Sequence, residues 1–250
     1  MHTNYNRRVT KAVFVGGLQV GGNAPIRVQS MLNTSTNDTD ACVAQAIRII
    51  EAGGEIVRLT TQGEREAANM ANVRSGLNEA GHSDIPLVAD VHFNPKAAFE
   101  AAKHIEKVRI NPGNFAQTLE EADEKFTALL DLCKKNGVAI RLGVNHGSLS
   151  KRIMNKYGDT PEGMVESCME YLRICKRENF TNVVISVKAS NVRVMVHTVR
   201  LMAATMDAEG LNFPLHLGVT EAGNDYEGRV KSAVGIGTLL ADGIGDTIRV

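Results

Sequence analysis

Short apolar runs alternate with longer amphipathic segments along most of the chain. The short runs predict eight strands, at Ile26–Met31, Glu55–Thr60, Pro86–Val91, Lys107–Ile110, Ala139–Val144, Val183–Lys188, Pro214–Val219 and Asp246–Val250. Segments with helical periodicity fill the gaps, such as Thr39–Ala52, Glu64–Ala80, Leu119–Asn136, Pro161–Glu178, Val192–Ala208 and Arg229–Ala241. Strict alternation of strand and helix predicts a parallel sheet, and eight such units predict a closed TIM (β/α)8 barrel.

The two ends of the chain depart from this pattern. Thr10–Val20 holds two short β-like runs around Gly16–Gly17, which predicts a β-hairpin before the first barrel strand. No helical segment follows the eighth strand, although a complete barrel ordinarily has a helix there. We therefore expect residues 1–250 to be a single barrel domain, truncated after strand 8, from a longer protein. The alternative is that the N-terminal segment covers that gap.

Length and charge narrow the classes of function. The 250 residues match the usual size of one barrel, and 28 Lys and Arg balance 28 Asp and Glu. A neutral total disfavours general nucleic-acid or membrane binding, so any electropositive site must be local. The start of the chain lacks the apolar stretch of a signal peptide, and no apolar run reaches the ~18 residues of a membrane span. We expect a cytoplasmic protein.

The four cysteines do not suggest a metal site. Cys42, Cys133, Cys168 and Cys175 form no CxxC pair, and Cys168 and Cys175 share one face of a predicted helix. We interpret all four as core residues of a protein from a reducing compartment.

Strand parity places polar side chains inside the barrel. Alternate residues of a barrel strand point into the lumen, and the outward set should be apolar because it packs on helices. In the second strand, for example, Val57 and Leu59 fit the outward face, which leaves Arg58 inward. The same logic over all strands assigns to the lumen Arg27, Gln29, Arg58, Thr60, Val88, Asp90, His92, Arg109, Asn111, Arg141, Gly143, Asn145, Ser186, Lys188, His216, Gly218, Thr220, Thr247 and Arg249.

This predicted lumen is cationic, whereas ordinary barrels fill it with Val, Ile and Leu. Five cations converge there, namely Arg58, Arg109, Arg141, Lys188 and Arg249. Asp90 and Glu221, just past strand 7, can offset only part of that charge. A bound polyanion would reduce the repulsion between these cations and offset the cost of burying their charges. The guanidinium group of arginine can donate two parallel hydrogen bonds to phosphate oxygens, so we predict a phosphate or diphosphate site. A metal held by Asp90, His92 and His216 is disfavoured, because adjacent guanidinium groups repel a divalent cation.

Several motifs, in order and spacing, resemble one enzyme family. They are VQSMLNT, EIVRLT, LVADVHF, VRINPGN, IRLGVNHGSL, ISVKAS, LHLGVTEAG and GIGDTIRV, and they extend from about Arg27 to Val250. The chain resembles the 4-hydroxy-3-methylbut-2-enyl diphosphate synthases of the methylerythritol phosphate route to isoprenoids. The resemblance implies an iron–sulfur oxidoreductase that opens 2-C-methyl-D-erythritol 2,4-cyclodiphosphate reductively, with two electrons and loss of water.

The resemblance also implies roles for individual residues. Contacts to the diphosphate would come from Arg58, Arg109, Arg141 and Lys188, assisted by His92, Asn145 and Ser186. The rest of the pocket would be lined by Asp90, Asn111, His216, Glu221 and Arg249. In the family a separate C-terminal domain carries a [4Fe–4S] cluster on a CPxC pair, a further cysteine and a glutamate. Those motifs are absent here, so we expect no catalytic, cofactor-binding or metal-ligating residue in this chain, and no turnover by it alone. The whole enzyme would be a homodimer that receives electrons from a ferredoxin- or flavodoxin-type donor.

Three alternatives stay open at this point. Lys188 on the sixth strand could be the nucleophile of a Schiff-base aldolase, which needs a neutral amine. A pterin-binding transferase has a related architecture, but the chain has no Trp and only 4% aromatic residues to stack on a flat ring. The third is that the chain works purely as a binding module.

Overall fold

The computed structural model describes residues 5–250, which form an α/β barrel preceded by a hairpin. The strands are β1 (Val13–Val15), β2 (Leu18–Val20), β3 (Arg27–Met31), β4 (Ile56–Thr61), β5 (Leu87–Val91), β6 (Lys107–Ile110), β7 (Ala139–Asn145), β8 (Val183–Lys188), β9 (His216–Leu217) and β10 (Thr247–Ile248). The helices are α1 (Thr39–Glu51), α2 (Glu64–Glu79), α3 (Pro95–Ala101), α4 (Pro112–Phe115), α5 (Leu119–Asn136), α6 (Lys151–Tyr157), α7 (Pro161–Arg177), α8 (Val192–Ala208) and α9 (Asp225–Ala241).

The eight strands from β3 to β10 form one parallel sheet that closes on itself. Their order is β8-β7-β6-β5-β4-β3-β10-β9, and a parallel bridge from Ile185 to Leu215 joins the last strand to the first. The backbone N–H of Ile185 donates to Pro214 at 2.9 Å across that seam. The predicted TIM (β/α)8 barrel is therefore confirmed.

The helices begin and end where local chemistry predicts. Thr118 and Thr160 cap α5 and α7 through hydrogen bonds from backbone N–H groups, and Pro161 occupies the first turn of α7. Gly137 ends α5 in the left-handed conformation, at φ +68°. Their buried faces pack on the outward strand residues, which include Leu59, Ile140 and other members of the main core.

The predicted hairpin closes the amino-terminal end of the barrel. Val13, Val15 and Val20 of β1 and β2 are buried against the lowest inward residues of the strands, namely Ile56, Val88, Ala139 and Val184. The side chain of Asn182 holds the hairpin by accepting from the backbone N–H of Phe14 at 2.9 Å and donating to its carbonyl at 2.8 Å. The lumen is therefore open only at the carboxyl ends of the strands.

Some element boundaries differ from the predictions. The last two strands are shorter than predicted, with two residues each. Beside them the carboxylate of Asp246 accepts the backbone N–H of Leu215 at 2.8 Å. The final helix begins at Asp225, before the predicted Arg229. Helices α3, α4 and α6 were not among the predicted segments, since elements of 7, 4 and 7 residues are too short to show a helical period.

The N-terminal segment does not cover the outer face of the eighth strand. Arg7 pairs with Asp246 at 2.8 Å, and the backbone N–H of Arg8 donates to Gly243 at 2.8 Å, so the segment lies beneath the amino end of β10. Val28, on the outer face of the neighbouring strand β3, stays 44% exposed. Residues 5–12, the described part of the N-terminal segment, therefore do not fill the gap.

The interpretation of the cysteines as core residues is confirmed. All four are buried free thiols. Burial raises the pKa of Cys133 to about 12 and also raises the pKa values of Cys168 and Cys175. Within residues 5–250, no helix combines the length and the hydropathy that a membrane span requires.

Candidate functional site

The upper half of the lumen is organised around one carboxylate. Asp90 is 2% exposed, and its Oδ1 accepts from Arg109 Nη1 at 3.1 Å and lies 3.3 Å from Arg141 Nη2. Its Oδ2 lies 3.3 Å from Arg58 Nε and 3.2 Å from His92 Nε2. Three arginines from β4, β6 and β7 thus converge on a single aspartate of β5, as strand parity predicted.

The cluster contains three arginines but only one carboxylate, that of Asp90. Burial alone would raise the pKa of Asp90, but the guanidinium groups of Arg58 and Arg109 hold that pKa well below its usual range. Burial lowers the pKa of Arg141 and of Arg109, and repulsion by Arg58 adds to this. The side chains of the lumen therefore carry more positive charge than the carboxylate of Asp90 balances.

Arg141 also binds two neighbours on β8 and β9. Its Nη1 donates to the hydroxyl of Ser186 at 2.9 Å and lies 3.5 Å from Nδ1 of His216. Burial, with repulsion by Lys188, keeps the pKa of His216 well below its usual value. Since a guanidinium can only donate, Nδ1 of the neutral ring accepts and Nε2 carries the proton.

Two glycines give room for the cationic side chains. A Cβ on Gly218 would lie 2.7 Å from Lys188 Nζ, and one on Gly143 would lie 2.5 Å from Arg109 Nε. Any larger residue would force either cation to move. Burial lowers the pKa of Lys188 well below its usual value, and Arg58 and Arg141 act in the same direction.

Arg249 and Glu221 lie at the mouth. Arg249, after β10, is half-buried, and it borders a cavity of about 700 Å³ at the carboxyl ends of β9 and β10. Glu221 lines the same cavity but is exposed, at φ +50°. Among the described residues Glu221 has no ion pair. The expectation that Glu221 offsets part of the positive charge of the buried cations is therefore wrong, and within the lumen the carboxylate of Asp90 alone does so.

Asn111 was expected to line the pocket, but hydrogen bonds to two loops hold both ends of its side-chain amide. Its Oδ1 accepts the backbone N–H of Gly113 at 3.1 Å, and its Nδ2 donates to the hydroxyl of Ser148 at 2.6 Å. Asn111 therefore joins the loop after β6 to the loop after β7. Asn145, at the end of β7, pairs in register with Lys188 and lies at the rim, half-buried.

Several buried polar atoms of the lumen have no hydrogen-bond partner within residues 5–250. They are Nη1 of Arg58, Nε of Arg109, Arg141 and Arg249, Nε2 of His216, Nζ of Lys107 and Oε1 of Gln29. All but the amide oxygen of Gln29 are donors, and Nζ of a neutral lysine can also accept. Buried donors without partners are costly, and an acceptor in the lumen would lower that cost.

The comparisons with known proteins agree with this geometry. The family model described as the GcpE TIM-barrel domain matches residues 10–250. The chain belongs to this family. Curated relatives named 4-hydroxy-3-methylbut-2-en-1-yl diphosphate synthase (flavodoxin) include one from Parabacteroides distasonis, 61% identical over 99% of the chain, and one from Leptospira interrogans, 50% identical over 98%. The chain spans only 43% and 39% of their lengths.

Solved structures share the barrel at low sequence identity. Dihydropteroate synthase from Thermus thermophilus has a TM-score of 0.61 and 16% identity, covering 96% of this chain and 93% of that one. N-acetylneuraminic acid synthetase from Leptospira borgpetersenii has a TM-score of 0.60 and 11% identity, with 97% and 78% covered. At such identities the likeness shows the fold alone, so it does not favour a pterin site in this GcpE barrel.

One lumen residue was missed by the sequence reasoning. Lys107 lies two residues before Arg109 on β6, so the same parity points it inward, and it is fully buried. It was not counted among the cations, because it stands at the first position of its strand, level with the apolar Val88 and Ala139 of the neighbouring strands. The signal was present in the strand pattern itself.

Proposed function

We propose that this chain is the substrate-holding barrel of a 4-hydroxy-3-methylbut-2-en-1-yl diphosphate synthase, and that its lumen binds the diphosphate of 2-C-methyl-D-erythritol 2,4-cyclodiphosphate. The observation that carries the proposal is the convergence of Arg58, Arg109 and Arg141 on the single buried carboxylate of Asp90. The names of the relatives support the identity of the product.

The charge balance favours a divalent anion. Arg58, Arg109 and Arg141 share one negative charge, and Lys188 lies above them with no carboxylate of its own. Each buried cation without a partner costs several kcal/mol. Two phosphoryl groups would supply acceptors for the unpaired guanidinium donors and reduce the repulsion between them.

We assign the direct diphosphate contacts to Arg58, Arg109, Arg141 and Lys188, with His92, Asn145 and Ser186 assisting. Asp90 orients the arginines, and His216, Glu221 and Arg249 line the space for the carbon skeleton. Asn111 is better assigned to holding the rim, because both ends of its amide already have partners in the two loops.

The reductive step requires a [4Fe–4S] cluster, and the residues of this chain do not fit one. Among residues 5–250 no three His, Cys, Asp or Glu side chains converge as a metal site, and the cysteines are buried thiols with raised pKa values. We propose that the cluster lies in another domain of a longer protein. That cytoplasmic protein would be a homodimer that takes electrons from a flavodoxin, the donor named for the relatives.

Calorimetric titration tests the proposal. The chain should bind 2-C-methyl-D-erythritol 2,4-cyclodiphosphate at one site, and methylerythritol without phosphate should give no detectable heat. Removal of the phosphates should weaken binding more than a change in the carbon skeleton. Absence of heat with the cyclic diphosphate, together with binding of an unrelated sugar monophosphate, would overturn it.

One observation favours a Schiff-base aldolase as a second candidate. The pKa of Lys188 lies well below its usual value, which favours the neutral amine that such a nucleophile needs. Borohydride reduction in the presence of small aldehydes and ketones should leave a covalent adduct on Lys188 if this candidate is correct. An unmodified lysine by mass spectrometry would remove it.

A further inference from the structure

Lys107 lies at the boundary between the two halves of the lumen. In register, its neighbours on β5 and β7 are Val88 and Ala139, which belong to the apolar floor. Its side chain is fully buried, and Nζ has no hydrogen-bond partner within residues 5–250. The amine therefore occupies the space between the floor and the arginine cluster, where neither water nor a protein acceptor reaches it.

The lumen that contains this amine also holds titratable and charged groups from the other strands. They are Arg58 of β4, Asp90 of β5, His92 just after β5, Arg109 of β6, Arg141 of β7, Lys188 of β8, His216 of β9 and Arg249 after β10. The charges that act on Lys107 most strongly are those of Arg141 and Arg58, both of the same sign as its own. Asp90, the buried carboxylate of the cluster, is already shared among three arginines.

A charged ammonium is therefore unfavourable here while the lumen is empty. Burial, with repulsion from Arg141 and Arg58, lowers the pKa of Lys107 from its ordinary value to about 7. Above that pH the empty barrel carries Lys107 mainly as the neutral amine. An anion bound among the arginines would place negative charge near Lys107 and so favour its ammonium form.

We propose that Lys107 takes up a proton from solvent when a diphosphate enters the lumen, and so adds a cation to the bound state that the empty barrel lacks. One amine becomes one ammonium, the solvent supplies the proton, and no other bond changes. The inference rests on the proposed diphosphate site. Lys107 acts beneath the arginine cluster, so it is a positioning residue for the anion.

Lys188 and His216 also have lowered pKa values, but their positions differ. Lys188 stands at the carboxyl end of β8 beside Gly218, where it can touch the anion, so its removal would weaken binding directly. His216 already accepts from Arg141 through Nδ1. Lys107 makes none of the proposed contacts to the anion. Its removal therefore takes away a proton acceptor and leaves all of those contacts in place.

The test is calorimetry of the wild-type chain and of Lys107→Met with 2-C-methyl-D-erythritol 2,4-cyclodiphosphate. This probe suits the question, because neither of its phosphoryl groups has a second ionisation near neutral pH. Titration in two buffers of different ionisation enthalpy gives the number of protons taken up per site. Lys135→Met, an exposed lysine of α5, is the matched control.

At pH 8, binding by the wild type and by Lys135→Met should take up nearly one proton more per site than binding by Lys107→Met. At pH 6 this difference should be small, because Lys107 is already charged before the ligand binds. The affinity of Lys107→Met should be about tenfold weaker at pH 8, with a larger loss at pH 6 and a smaller one at pH 9. Equal proton uptake and equal affinity in wild type and Lys107→Met would overturn this inference and leave the diphosphate site intact. A wild-type chain that binds no cyclic diphosphate would overturn both.

A second measurement, by NMR, uses only the wild-type chain and so does not require Lys107→Met to fold. In the wild-type chain, the 13Cε resonance of one lysine should titrate near pH 7 without ligand and at higher pH with the cyclic diphosphate bound. A Lys107 resonance that titrates at the same pH in both states contradicts the proposal.

Discussion

The two halves of the barrel lumen are built from the same strands but have opposite chemistry. At the amino-terminal end, Ile56, Val88 and Val184 pack against the hairpin in a dry apolar layer. One pleat further along, Arg58 and Asp90 belong to a charged cluster. The floor therefore stabilises the fold, and the upper half holds the proposed binding groups, at the carboxyl-terminal face where barrels ordinarily carry their sites.

Strand β7 shows this change within seven residues. Its inward positions are Ala139 in the floor, Arg141 in the cluster, Gly143 beside Arg109, and Asn145 at the rim. The backbone geometry is the same at each step, so residue identity alone separates stability from binding. Substitutions in the two halves should therefore affect different measurements.

The largest expected effect is on stability, from Asp90→Asn. Without this carboxylate, three buried guanidinium groups lose their shared partner, and the free energy of unfolding should fall by about 3–5 kcal/mol. Urea unfolding measures the loss. Asp207→Asn, which breaks an exposed pair with Arg8, should cost less than about 1 kcal/mol. Equal losses for the two variants would show that Asp90 does not hold the cluster.

In the floor, Ile56→Ala should reduce the free energy of unfolding by about 2–5 kcal/mol, since it leaves a cavity under the hairpin. Its affinity for the cyclic diphosphate should stay within about threefold of wild type, because no binding group is lost. Urea unfolding and calorimetry on the same preparation test both statements. A large loss of affinity with little loss of stability would break the division between the two halves.

In the upper half, Arg141→Ala should weaken binding of the cyclic diphosphate by about 2–4 kcal/mol, the cost of a lost buried charge-assisted contact. Arg200→Ala, at an exposed pair with Asp242 on the helical surface, is the control and should bind as wild type. Unchanged binding by Arg141→Ala in calorimetry would place the anion elsewhere.

The smallest of these effects is expected from Gly218→Ala. The added methyl would lie 2.7 Å from Lys188 Nζ, so the lysine must move and the affinity should fall about tenfold. Gly237→Ala, where an added Cβ meets nothing within 4 Å, should leave affinity unchanged. Equal affinities for the two variants would show that the position of Lys188 is not critical.

Strand parity predicted most of the site, because a two-residue period and an apolar outer face are local properties of the sequence. It placed Arg58, Asp90 and Arg141 in the lumen correctly. It could not give the pairing of loops through Asn111, since that depends on Ser148 of another unit. It also could not show that Glu221 is exposed at the mouth and not buried with the cations, because the residue follows the strand in a left-handed turn where parity no longer applies.

A crystal structure of this chain with 2-C-methyl-D-erythritol 2,4-cyclodiphosphate tests the proposed diphosphate site most directly. We expect both phosphoryl groups in the upper lumen, within hydrogen-bond distance of Arg58, Arg141 and Lys188, above an unchanged apolar floor. A diphosphate bound outside the lumen, with the arginines still gathered only on Asp90, would contradict it.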